Sequence, residues 1–268
     1  MKKTVLLIIP LLFLFLSCED KKEEPLPLDC AGVEGGTEVV DCTGECGGTA
    51  ISDIDGNCYE TMQIGEQIWI TENLRVTHYN DGSELPTGYN DSDWINLSTG
   101  AYAVFPADDN NLSQDTCGDN CAEVYGNLYN WFAVNDDRGI CPEGWHVPTD
   151  GEYTVLSNYL GGEYVAGGKM KEIGTEHWCG YYPNYPDNCI NESATNESGF
   201  TALPAGSRHV SYGDYSGLGR ECYFWTSDTE DIGVGGYGSY RRLEFDESRL
   251  VMGGSSFRFG FSVRCIKD

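Results

Sequence analysis

Basic residues are scarce in this chain. Sixteen Lys and Arg face 43 Asp and Glu, for a net charge of -27 at pH 7. A chain this acidic repels polyanions, which argues against nucleic acid or an anionic membrane surface as a partner. Histidine is scarcer still: His78, His146, His177 and His209 share no metal-ligand spacing, and no H-E-x-x-H occurs. Also missing are a G-x-S-x-G elbow, a phosphate loop and a dinucleotide fingerprint. Carboxylate pairs could be drawn anywhere among so many acids, so they mark no acid–base centre. Nothing here predicts an enzyme. Long apolar runs are absent with one exception, Thr4 to Leu16 behind Lys2-Lys3, which is short for a bilayer span but suits the core of a signal peptide.

That run ends in "FLSCED", and the Ser17-Cys18 junction resembles the lipobox of bacterial lipoproteins. The resemblance implies removal of residues 1–17 and lipid on Cys18, an anchor for a chain with no other membrane segment. Residues 18–28 form an acidic, Pro-containing tether with nothing to bury. Acidic residues so close to the lipidated Cys resemble surface-export signals, so the expected location is the outer membrane, facing the exterior.

Twelve cysteines in an exported chain point to disulfides. Setting Cys18 aside leaves eleven, an odd number, so at least one is unpaired. From Asp29 the sequence repeats with a period of twelve: "DCAGVEGGTEVV", "DCTGECGGTAIS" and a truncated "DIDGNC". Only the second copy keeps both cysteines, which suggests a local Cys42–Cys46 pair and a Cys30–Cys58 bridge across the module. Residues 29–58 are too few to bury a core without such staples. Asp53, Asp55 and Asn57 supply oxygens at alternate positions, as calcium loops do, but the downstream Glu is lacking and Asp-Gly is also a plain turn former. A calcium module and a disulfide-stapled stalk both fit.

Beyond Cys58 the pattern lengthens into one sizeable domain, 59–268. Aromatics at 12% and 34 glycines suit a β-rich, loop-rich fold. "ETMQIGEQIWI" predicts a hairpin turning at Gly65-Glu66, and "GAYAVF" another strand. In "AEVYGNLYNWFAVND", Leu128, Trp131, Phe132 and Asn135 share a helical arc. Thr149-Asp150-Gly151-Glu152 is a capping box, followed by Val155, Leu156, Tyr159 and Leu160 on one face and a Gly161-Gly162 stop. In "FRFGFSVRC", Phe257, Phe259, Phe261, Val263 and Cys265 alternate as one inner strand face. A Cys141–Cys265 bridge would pin that closing strand beside Trp145-His146-Val147. Proximity then pairs Cys117 with Cys121 and Cys179 with Cys189, and leaves Cys222 as a free thiol.

Seven blocks in fixed order carry a resemblance, from "IGEQIWITENLRVTHYNDGSELP" through "YGNLYNWFAV", "CPEGWHVPTDGEY", "GGKMKEIGTEHW", "NESGFTALPAGSR" and "YFWTSD" to "GFSVRCIKD". They resemble the Fibrobacter succinogenes major paralogous (FISUMP) domain. The resemblance implies an α+β, C-type-lectin-like fold with two short core helices, small twisted antiparallel sheets, long loops and the Cys141–Cys265 bridge. It also places Trp69, Trp131, Trp145, Trp178 and Trp225 in the core. Formylglycine-generating domains are similar in shape, and their copper–thiol chemistry would need two reactive cysteines; Cys117 and Cys121 are close enough, but in an exported chain a loop disulfide is the expectation. The Glu-Pro-Asn or Gln-Pro-Asp triplet of calcium-dependent lectins is absent. Tyr181, Tyr182 and Tyr185 sit in the clipped loop 179–189 beside polar amides, a set suited to stacking on sugar or on a protein hot spot. The expected function is a non-catalytic module for glycan or extracellular protein, set against a structural or adhesive surface protein with no discrete ligand.

Overall fold

Each twelve-residue repeat closes on itself through its leading aspartate. Asp29, Asp41 and Asp53 donate their amides to Val33, Glu45 and Asn57 carbonyls at 3.1, 2.9 and 3.0 Å. Their carboxylates accept from the same residues' amides at 2.8, 3.1 and 2.9 Å. The turn needs a residue with positive φ, and Gly32, Gly44 and Gly56 supply it at 78°, 92° and 81°. Antiparallel pairs Leu28–Glu34, Val40–Cys46 and Ser52–Cys58 repeat the same register in all three hairpins. The computed structural model describes residues 26–106, 117, 120–179, 189–230 and 236–268. The signal-like segment, Cys18 and most of the tether lie outside them.

The disulfides of this array differ from the expected pairing. Cys30 joins Cys46 and Cys42 joins Cys58, each across 16 residues. Position 2 of one hairpin meets position 6 of the next, and one period of twelve plus four gives that spacing. A local Cys42–Cys46 pair and a Cys30–Cys58 bridge are therefore both excluded. The two irregular repeats follow from the same rule: position 6 of the first hairpin (Glu34) and position 2 of the third (Ile54) have no neighbouring repeat to bond.

The third hairpin is built into the domain. Tyr59 is fully buried; its hydroxyl donates to Asp53 at 2.8 Å and accepts from the Arg75 amide at 3.0 Å. Asp55 accepts from the Thr77 amide and hydroxyl and faces His78 Nδ1 at 2.5 Å.

The domain is mixed α+β. A five-stranded sheet runs, in spatial order, Val251–Ser256, Tyr237–Glu244, Glu221–Glu230, Ala205–Arg208 and Tyr215–Leu218. A four-stranded sheet orders Thr61–Ile64, Gln67–Ile70, Ile266–Lys267 and Trp145–His146. The Gly65-Glu66 hairpin thus forms as expected, and Tyr102–Ala103 pairs with Leu128–Tyr129. One core cluster gathers Tyr59, Leu74, Tyr129, Trp225 and Phe261, and a second Trp69, Tyr153, Leu156, Trp178 and Phe224. Trp145 is only partly buried. The disulfides Cys141–Cys265, Cys117–Cys121 and Cys179–Cys189 are present, and Cys222 is free and buried.

Helix Asp150–Tyr159 starts on the full capping box: Thr149 Oγ1 accepts from the Glu152 amide and Glu152 accepts from the Thr149 amide. Its inward face is Tyr153, Leu156 and Leu160, whereas Val155 and Tyr159 are exposed. A second helix, Glu163–Met170, carries Gly167 and Gly168, poor helix formers that earn their place by close approach. A Cβ at either would come within 2.7 Å of the Arg249 carbonyl or 2.5 Å of the Ser193 carbonyl.

Two predicted elements are broken. The 122–136 arc is not one helix: Gly126, at φ 73°, ends Cys121–Tyr125, a two-residue strand follows, and Asn130 caps a new turn, Trp131–Val134. The 257–265 segment is not a strand in one ladder. Phe261, Val263 and Cys265 are buried, but so are Gly260, Ser262 and Arg264, so both faces lie inside. The segment makes single bridges to Arg208, Tyr129 and Phe224 before pairing at Ile266. Arg264 is its hub: Nε donates to Asn73 Oδ1 at 2.8 Å, Nη1 to the Ile70 and Phe200 carbonyls at 3.2 and 2.7 Å, and Nη2 to the Thr201 carbonyl at 3.0 Å.

Candidate functional site

The groups with sequence interest do not converge. His78 faces Asp55; His146 faces Asp268 and Glu152; His177 faces Glu172 at 2.8 Å; His209 packs edge-on to Phe259. Among the described residues, no group of three or more His, Cys, Asp or Glu could hold a metal ion. In the candidate calcium set, the Asp53 carboxylate takes the Asp55 and Asn57 amides, the Asn57 side-chain nitrogen and the Tyr59 hydroxyl. Asp55 turns away toward Thr77 and His78, so the three side chains close a turn and its junction with the domain. Tyr181, Tyr182 and Tyr185 lie outside the described residues.

Two buried reactive groups are occupied by the fold. Lys171 Nζ donates to the Glu244 and Glu247 carbonyls, both at 2.9 Å, and burial pulls its pKa down to about 8. It clasps the turn after Tyr237–Glu244. Burial pushes the Cys222 thiol up to about 12, which removes the thiolate a nucleophile needs.

One cleft, of about 380 Å³, combines rings with polar groups. One wall is the segment from Trp131 to Arg138; the other is formed by Glu84, Pro86 and residues 98–100. Asn130 joins the walls: its Oδ1 accepts from the Ala101 and Ala133 amides at 3.0 and 3.1 Å, and its Nδ2 donates to the Thr99 carbonyl at 2.9 Å. Gly100 has to be small, because a Cβ there would sit 1.9 Å from the Tyr79 hydroxyl. Trp131 stacks on Phe257 at 4.2 Å and donates Nε1 to the Thr226 carbonyl. Phe132 meets the same Phe257 ring edge-on at 5.6 Å and is half-buried, so a fixed aromatic edge reaches the cleft.

Asp136 and Arg138 form the polar rim as a bidentate pair, Nε to Oδ1 and Nη2 to Oδ2, both at 2.8 Å. Arg138 holds the Asp136 carboxyl below the usual carboxylate range. The remaining nitrogen, Nη1, donates to Ser83 Oγ at 2.8 Å, and the guanidinium lies 3.7 Å over the Tyr79 ring. Asn135 ends the short helix with its side chain exposed. The helical arc expected through Phe132 and Asn135 does not mark them as site residues; the polar run Asn135-Asp136-Asp137-Arg138 directly after "WFAV" is the signal in the sequence. A smaller recess of about 200 Å³ sets one half-buried ring, Phe245, among Arg220, Glu221, Glu244 and Asp246.

A mixed α+β domain with small, mostly antiparallel sheets, few helices and several disulfides defines the class. The chain belongs to the Fibrobacter succinogenes major domain family, whose model matches residues 62–267. The match starts within the first strand of the Gly65-Glu66 hairpin and leaves the three-hairpin array outside. No curated protein and no solved structure matches.

Proposed function

We propose that this protein is a surface-displayed lipoprotein whose 59–268 domain is a non-catalytic binding module for glycan or extracellular protein, C-type-lectin-like in architecture. Lipid on Cys18 would hold it on the outer membrane, with the acidic tether and hairpin array as spacer. The cleft beside Trp131 and Phe132 carries the binding reading. A pre-formed concavity with a fixed ring and a few placed polar groups is how ligand sites are built. The clipped loop 179–189, with Tyr181, Tyr182 and Tyr185, is a second candidate surface on the same module.

Probing an array of polysaccharides and extracellular matrix proteins with the whole chain tests the reading. Saturable binding to at least one class is expected. Absence of binding across the array, with the protein folded, would favour the structural role instead. Metabolic palmitate labelling with protease treatment of intact cells tests placement: an unlabelled or fully protected chain removes it.

A further inference from the structure

We infer that the Phe132–Asp136–Arg138 cleft binds an uncharged saccharide, one or two rings at a time. This rests on the binding-module reading and narrows it to one site and one ligand class. Three observations carry it. The cleft volume of about 380 Å³ is at the small end of ligand sites, room for a short stretch of polymer and not for a folded partner. Its exposed aromatic element is the half-buried Phe132 ring beside the largely buried Trp131, both packed on Phe257, so it can meet a ligand with little ordering cost. Its charges are already spent.

That last point selects against ions of either sign. Among the described residues, the only cation lining the cleft, Arg138, uses Nε and Nη2 on Asp136 and Nη1 on Ser83, and its face covers Tyr79. Three of its five N–H donors are engaged and its charge is met by Asp136, so the pair offers a free carboxylate or sulfate little net attraction. Asp136 is neutralised by Arg138, leaving Glu84, exposed at the rim, as the lone unpaired charge among the described lining residues, too little to capture a cationic peptide. What remains is planar hydrogen-bonding capacity: carboxylate lone pairs, the Asn135 amide, and the Ser98 and Thr99 hydroxyls beside a ring. Sugar hydroxyls match such groups, and a pyranose face matches the ring.

The test uses the whole chain in affinity gel electrophoresis and calorimetry. The probes are neutral mixed-linkage β-glucan, xyloglucan and mannan, set beside polygalacturonate and poly-lysine. Retention by at least one neutral polysaccharide is expected, insensitive to a severalfold rise in salt. Phe132→Ala should weaken it by about tenfold, as loss of an aromatic contact does. Asn135→Ala, at an exposed position, should weaken it severalfold with the fold checked by circular dichroism, and Tyr164→Ala, exposed elsewhere, not at all. Neutral binding that survives both cleft variants overturns the site and leaves the module reading standing. Retention only by polygalacturonate or poly-lysine, lost with salt, overturns the ligand class. No retention by any probe overturns this inference together with the glycan reading.

Discussion

Replacing Arg264 by methionine should cost the domain more than any single change at its surface. The side chain is 1% exposed, and among the described residues no carboxylate pairs with it; four hydrogen bonds to oxygens of Asn73, Ile70, Phe200 and Thr201 take the place of a counter-ion. Burial pulls its pKa down to about 10, so the charge itself is costly to hold. Methionine removes that cost and fills much of the volume, but it strands four acceptors, three of them buried. Each unsatisfied acceptor costs about 1–3 kcal/mol, and the sum is reduced by relaxation and by the relieved charge. A net loss of about 4–6 kcal/mol follows, much of the 5–15 kcal/mol typical of a whole domain. Lysine in its place keeps a charge with three donors and should lose about half as much. Urea unfolding followed by the fluorescence of the buried Trp69, Trp178 and Trp225 measures both. A loss below about 1 kcal/mol for Arg264→Met would refute the hub role. So would equal losses for Met and Lys, since donors would then not be what matters.

Removing the Cys141–Cys265 bridge as a double alanine should cost about 4–5 kcal/mol, because it closes 124 residues. Calorimetry should show a Tm lower by about 10–20 °C; a shift of only a few degrees would mean the core holds the segment unaided. His146 should make stability pH-dependent. Its two ring nitrogens face Asp268 at 2.7 Å and Glu152 at 2.9 Å, and both can donate only as the imidazolium. Burial opposes the charge, but the two carboxylates outweigh it and raise the pKa above 6.5. The stabilisation is therefore complete below the unfolded value and is lost as pH rises through the raised one. The site is partly exposed, so the effect is at most about 1 kcal/mol. The Tm difference between wild type and His146→Gln should shrink from mildly acid to mildly alkaline pH; a constant difference contradicts the assignment.

Local chemistry was legible from sequence. The capping box at Thr149, the Gly65-Glu66 turn and the Cys141–Cys265 bridge each rest on residues whose preferences are met within a few positions or by one covalent option. The largest sheet was not legible. "YGSYRRLE" lacks apolar alternation because the face with the buried Ser239 and Arg241 adds only one apolar residue, Leu243, and "VMGGSS" has no fully buried position at all. Gly238 faces Trp131, with room for no side chain. The alternation in 257–265 was real but misread, because a segment buried on both faces shows apolar residues on one and glycine, serine and a solvated-by-carbonyl arginine on the other. The cleft was illegible for a related reason. Phe132 is half core and half site, and the opposite wall comes from residues 84, 86 and 98–100, more than thirty positions away.

The crossed disulfides of the hairpin array have a mechanical meaning. Under tension, force takes the shortest covalent path. From Cys30 that path jumps 5.6 Å between Cα atoms to Cys46, runs back four residues to Cys42, and jumps 5.7 Å to Cys58. Its contour is about 25 Å, taking about 3.4 Å per extended residue. The 28-residue segment without bridges could pay out to about 95 Å. Pulling on the N-terminal side therefore reels out almost no slack, even if every hairpin hydrogen bond breaks. The load arrives at Cys58, whose neighbour Tyr59 is fully buried in the domain. Only reduction of the bridges would release the stored length, about 70 Å of reach for the domain they hold.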